Sequence, residues 1–239
     1  MRKLPWFYTK DQYEAFMSAI HNPEHARIYE ILFGSGCRIA EIIGQEKKRC
    51  ITCTAFYRKR IKGAEKRIPG IPWCRTQDLQ LPKPPTRHIC PQHTARFPGL
   101  MVEQVDLANA TIRLTGKGEV ERIVSLSSRA LQALQEAIGD KRSGRIDFGI
   151  GIRRVEQLAT FYAKKAGLPD VGRYARWSPH RMRDTNLTFM VAAADDLGQI
   201  DQLSMAQEQA GHAHIDQTKK YVHTATAAKR RRLLDKAFS

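Results

Sequence analysis

Apolar side chains in the first forty residues recur with helical spacing. Tyr13, Phe16, Met17 and Ile20 fall at i, i+3, i+4 and i+7 behind Thr9 and Gln12, which have the form of a capping box, so an amphipathic helix opening at Thr9 is predicted. A second helical run covers residues 26–33 and stops at Gly34, Ser35 and Gly36. A short helix then begins at Cys37, with Arg38 at its start. Farther on the period changes to two. Residues 111–115 and 121–126 alternate apolar and polar positions around Gly116, Lys117 and Gly118, which predicts a hairpin with Lys117 near its turn. Helical spacing returns over residues 128–138, 155–166 and 179–194, the last behind the cap Ser178, and a basic segment at 227–238 is helical in character too. The predicted class is α+β, mostly helical, with a small antiparallel hairpin or sheet and no internal repeat.

Between residues 45 and 101 neither period persists. This stretch holds seven of the eleven prolines, four of the five cysteines, and 13 Lys/Arg against 3 Asp/Glu. It reads as a basic insertion between 1–44 and 102–239. Cys50 and Cys53 form one knuckle-like pair and Cys90 and His93 another, a spacing that suits a structural Cys3His zinc site. Cys74 is an alternative fourth ligand, and His88 a weaker one. Unligated thiols in a loop, or redox chemistry, are the other readings of the same cysteines.

Over the whole chain of 239 residues, 42% hydrophobic and 8% aromatic content allows a packed core and argues against disorder. No stretch approaches the ~18 consecutive apolar residues that span a bilayer, and the first five residues lead into no signal-peptide core. A soluble chain in the cytoplasm, with no membrane partner, is expected. The 40 Lys+Arg against 24 Asp+Glu leave a formal charge of +16, which points to a polyanion, nucleic acid ahead of an acidic membrane. Arg58, Lys59, Arg60 and Lys62 in the insertion are candidate phosphate contacts.

Five short signals occur in order: Gly36, Arg38, Glu41 and Gly44; the hairpin 114–124 with Lys117; Pro179, His180, Arg183 and Thr185; Gly211 with His212; and Tyr221, nine residues beyond His212. In this arrangement the chain resembles the tyrosine recombinases, the family of phage integrases and chromosome-dimer resolvases, over roughly residues 5–44 and 102–239. The resemblance implies the catalytic-domain fold of that family and a site of Arg38, Lys117, His180, Arg183, His212 and Tyr221.

The chemistry accounts for those residue types. Attack on a phosphodiester builds charge on the nonbridging oxygens, and two planar guanidinium groups, Arg38 and Arg183, form a permanently charged clamp. Tyr221 is the implied nucleophile, forming a 3′-phosphotyrosine, and its phenol needs an acceptor for the proton. His180, three residues before Arg183 on a predicted helix, fills that role, while His212 donates to a nonbridging oxygen. Lys117 protonates the leaving 5′-oxygen. No cofactor is needed for this catalysis.

The chain departs from the family pattern in several places. The gap from Arg38 to Lys117 is 79 residues, the segment from Thr185 to His212 is longer than usual, Asp184 stands where many members have another His, and no core-binding domain is expected ahead of Thr9. The function expected is site-specific recombination or integration of double-stranded DNA at the nucleoid, by a monomer that assembles into a homo-tetramer on its sites. A DNA-binding accessory or regulatory protein on the same fold is the alternative, and a topoisomerase-like enzyme a third reading.

Overall fold

The computed structural model describes residues 7–44, 56–59, 71–75, 78–81, 97–115, 121–169, 177–193 and 199–211. Helix α1 (Lys10–Ser18) opens on the capping box: Thr9 Oγ1 accepts from the Gln12 amide at 3.2 Å and Gln12 Oε1 from the Thr9 amide at 3.0 Å. Helix α2 (Pro23–Ser35) starts three residues ahead of the predicted run, because Asn22 caps Glu24 and His25 and Pro23 fits the first helical position. It ends at Gly36, whose φ of +62° reverses the chain into the five-residue α3 (Ile39–Ile43), with Arg38 as N-cap. A side chain at Gly36 would also meet Asn186 Oδ1 at 2.5 Å, so both backbone and space demand glycine there.

The insertion contains a sheet the sequence pattern did not predict. Strands β1 (Phe56–Lys59), β2 (Ile71–Cys74) and β3 (Leu79–Gln80) are antiparallel in that order, with Arg58 opposite Pro72 and Phe56 opposite Cys74. Strands this short show no alternation, and Pro72 in a central strand argues against one on sequence grounds. Buried Cys74 and Leu81 lie outside the main core cluster.

The core resumes before the predicted boundary at 102. Leu100 is fully buried, donates its amide to Ile42 O at 3.0 Å and accepts from Ile146 N at 2.9 Å. After a single 3-10 turn (Val102–Gln104) come β4 (Val105–Asp106), β5 (Thr111–Thr115) and β6 (Glu121–Ser125), antiparallel in chain order, with β4 an addition to the predicted hairpin. Ile112, Leu114 and Val124 face inward.

Helices α4 (Ser128–Ile138), α5 (Ile152–Lys165) and α6 (Pro179–Ala193) follow close to prediction. Helix α7 (Gln199–Ala210) was not predicted: among its described side chains the buried ones are Ala206, Gln209 and Ala210, too small or too polar to register as an apolar period. The main core is aromatic, with Tyr8, Phe16, Tyr29, Phe33, Tyr162 and Trp177 among its members. A smaller cluster of Leu187, Val191, Ala206 and Ala210 joins α6 to α7.

Candidate active site

Arg183 stands in the first two turns of α6 and is 2% exposed. Its Nη1 donates to the carbonyl of Gly36 at 2.7 Å, and its Nη2 donates to the carbonyl of Ala210. These acceptors lie two residues before Arg38 and two before His212. One guanidinium therefore fastens together three segments that are 147 and 27 residues apart in sequence.

Beside it, Glu41 is a buried carboxylate shared by two arginines. Oε1 accepts from Arg38 Nη1 at 2.9 Å, and Oε2 accepts from the Arg38 amide at 2.7 Å and from Arg122 Nη2 at 2.8 Å. Burial alone would raise the Glu41 carboxyl, but Arg122, Arg38 and the hydrogen bonds they supply outweigh it and hold the group below the usual carboxylate range. The Arg38 side chain is 41% exposed, whereas that of Arg122 is 7% exposed. Cys37 is buried in the same neighbourhood, and burial, with Glu41 nearby, pushes its thiol up to about 11.

Gln209 closes the cluster from α7. Its Nε2 donates to Ser35 O at 2.8 Å and Ser125 O at 2.9 Å, and its Oε1 accepts from Ser125 N at 3.0 Å. The amide thus pairs with the open side of β6, the edge strand of its sheet, as a neighbouring strand would. Gly211, at φ +61°, follows directly, and a side chain there would lie 2.7 Å from Arg122 Cδ.

Of the sequence-predicted catalytic residues, Arg38 and Arg183 are thus brought to one neighbourhood, and His180 is exposed on the first turn of α6. Lys117, His212 and Tyr221 lie outside the described residues, as do Cys50, Cys53, Cys90, His93, Arg60 and Lys62. Arg58 is exposed on β1, and Lys59 ends that strand. Cys74 is buried on β2, and among the described residues no group of three or more His, Cys, Asp or Glu is placed to hold a metal ion. Asp184 pairs with Arg181 at 2.8 Å rather than with Arg183.

Sequence reasoning missed Arg122 and Gln209, and it had Glu41 only as a member of the Arg38 motif, with no role in the site. The signal for Arg122 was present. It is in phase with Val124 on an alternating strand, which turns an arginine inward and requires a buried acid.

Residues 95–228 match the phage integrase family. The tyrosine recombinase XerC of Pelobacter propionicus is 31% identical over 131 residues, covering 53% of this chain and 41% of that protein. XerC of Actinobacillus pleuropneumoniae is 30% identical over 139 residues, covering 52% and 40%. The match spans about two fifths of the length of these curated relatives. Among solved structures, XerA recombinase superposes with a TM-score of 0.57 at 15% identity, covering 97% of this chain and 65% of that one. The Tn1549 transposon integrase, in complex with transposon right end DNA, gives 0.55 at 17% identity, covering 98% and 67%. These structures share the fold. The ordered motifs, the convergence of their segments on Arg183 and a family match over more than half its length agree: the chain belongs to the phage integrase family of tyrosine recombinases.

Proposed function

We propose that this chain carries the catalytic part of a site-specific DNA recombinase, acting on double-stranded DNA through a 3′-phosphotyrosine on Tyr221. The observation that carries the reading is the Arg183 bridge from Gly36 to Ala210, which holds the Arg38 segment beside the segment entering His212. A scattered set of cations has no packing reason to meet there, whereas a phosphodiester in its charged transition state needs them converging on one point.

In the proposed step the Tyr221 phenolic oxygen attacks phosphorus and the bond to the 5′-oxygen breaks. The phenol proton passes to His180, and Lys117 protonates the departing 5′-hydroxyl. Arg38, Arg183 and His212 stabilise the nonbridging oxygens. Religation is the same path reversed, with the bond energy kept in the phosphotyrosine and no metal or nucleotide consumed. Exchange across two duplexes calls for a homo-tetramer on DNA. In the insertion, Arg58, Lys59, Arg60 and Lys62 contact phosphates, and Cys50, Cys53, Cys90 and His93, with Cys74 as alternative, hold one structural zinc.

A nicked suicide substrate, which traps the covalent adduct, tests the reading. The wild-type protein should form the adduct, and Tyr221→Phe should bind the same DNA with affinity intact and form none. An adduct in the Phe variant at wild-type yield would move the nucleophile elsewhere.

A further inference from the structure

We propose that Arg122 is a positioning residue for the leaving-group step, holding the Lys117 hairpin against the helix that carries Arg38. The proposal rests on the functional reading above. Arg122 is opposite Leu114 in the register of β5 and β6, and only the pair Thr115 and Glu121 lies nearer the turn among the described residues. Among the described residues, the hydrogen bonds that tie this side of the strand to its surroundings beyond Arg122 are at its far end, where Gln209 holds Ser125 and the Ser127 amide donates to Gly34 O at 3.0 Å, beside core Val124. Among the described residues the Arg122–Glu41 pair is the ion pair of the hairpin nearest its turn, on the same rung as Leu114, which is buried in the main core.

Arg38 does not need this pair. Glu41 lies in the first turn of the same short helix and already receives both the Arg38 amide and Nη1, a local arrangement that persists without β6. What Arg122 adds is a contact of 81 residues' sequence separation, between two side chains 7% and 2% exposed. Its side chain also occupies the space beside Gly211, so β6, α3 and the end of α7 share one side chain. Arg122 Nε is buried with no hydrogen-bond partner among the described residues, so the side chain is held chiefly through Nη2 and its packing. An inward arginine at this cost is explained by a need for position at the hairpin, where a misplacement of about 1 Å can cost about 10²-fold in rate.

The test is single-turnover cleavage at saturating protein, comparing ordinary suicide DNA with a 5′-bridging phosphorothiolate, whose thiolate leaves without a proton. Wild type, Lys117→Ala, Arg122→Met and Arg122→Lys are compared, the last keeping the buried charge so that the fold is preserved, with thermal melting as the check. Arg122→Met and Arg122→Lys should slow cleavage of ordinary DNA by about 10-fold or more with DNA affinity unchanged, and the phosphorothiolate should restore both, as it restores Lys117→Ala. A folded Arg122→Lys that cleaves ordinary DNA at the wild-type rate overturns the proposal. So does a slow variant that the phosphorothiolate fails to restore, which would place the defect in charge stabilisation through Arg38. Failure of wild type to form an adduct on either substrate would instead remove the functional reading itself, and the positioning role with it.

Discussion

Replacing Gln209 with leucine keeps the bulk of a 5% exposed side chain and deletes three hydrogen bonds, two to Ser125 and one to Ser35. The leucine offers no substitute donor or acceptor, so the backbone groups at Ser35 and Ser125 are left facing apolar atoms. A net 0.5–1.5 kcal/mol for each such bond sets the loss of stability at about 2–4 kcal/mol. For a chain of this size that is roughly 5–15 °C in melting temperature. Circular dichroism melts measure the global loss, and amide hydrogen exchange at Ser125 measures the local one, because its N–H is the donor released. Gln132→Leu is the control: that glutamine is exposed on α4 and among the described residues its side chain bonds only Glu136, so its replacement should stay within about 0.5 kcal/mol. A Gln209→Leu protein as stable as that control, with Ser125 protection unchanged, would refute the idea that this amide caps the β6 edge.

Glu41→Gln should cost about 3–5 kcal/mol at neutral pH, because it removes the shared counter-charge of a buried arginine. The Glu41 carboxyl is held below its ordinary range, so its contribution is present above about pH 4.3 and is lost as pH falls through the lowered value. The stability gap between wild type and variant should therefore shrink in acid, and a gap constant from pH 7 to pH 3 would exclude the ion pair as its source. Excision of residues 45–96 with a short linker should leave a folded protein with weaker DNA affinity and a flatter salt dependence, while excision of 45–101 should unfold it by removing Leu100. An unchanged salt slope would remove the insertion from the DNA interface. Elemental analysis of protein purified without added metal should find about one zinc per chain, and less than about a tenth of an equivalent with all thiols titratable would eliminate the ligand assignment.

Elements governed by local rules were legible in the sequence. The Thr9 capping box, the alternation in β5 and β6 and the apolar stripes of α4 and α5 each state their structure within a few residues. The Asn22 and Pro23 start of α2 is equally local but lies ahead of the apolar run over residues 26–33. Helix α7 and the inserted sheet were not legible, because alanine, glutamine and a central proline carry burial that only tertiary neighbours create. The same division runs through the site. Arg38 and Arg183 were found through motif order, yet their meeting depends on carbonyls of Gly36 and Ala210, which any residue type would supply. Arg122 and Gln209 act across 81 and 174 residues of chain, distances over which spacing carries no signal.

That long separation explains how the site accommodates a gap of 79 positions from Arg38 to Lys117. The two stems of the interruption touch: a side chain on Gly44 would lie 2.6 Å from the Pro98 carbonyl oxygen, and Leu100 pairs with Ile42. A loop whose ends are already joined costs little more as it lengthens, about 0.6 kcal/mol for each doubling, and sheet β1–β3 offsets part of that by burying Cys74 and Leu81. Arg145 reinforces the junction, its Nη2 donating to Ile43 O at 2.6 Å. From there the link between the Arg38 helix and the hairpin runs through space, by Glu41 and Arg122, and not along the chain. A basic module is thus carried between the Arg38 segment and the β5–β6 hairpin without setting the distance between them.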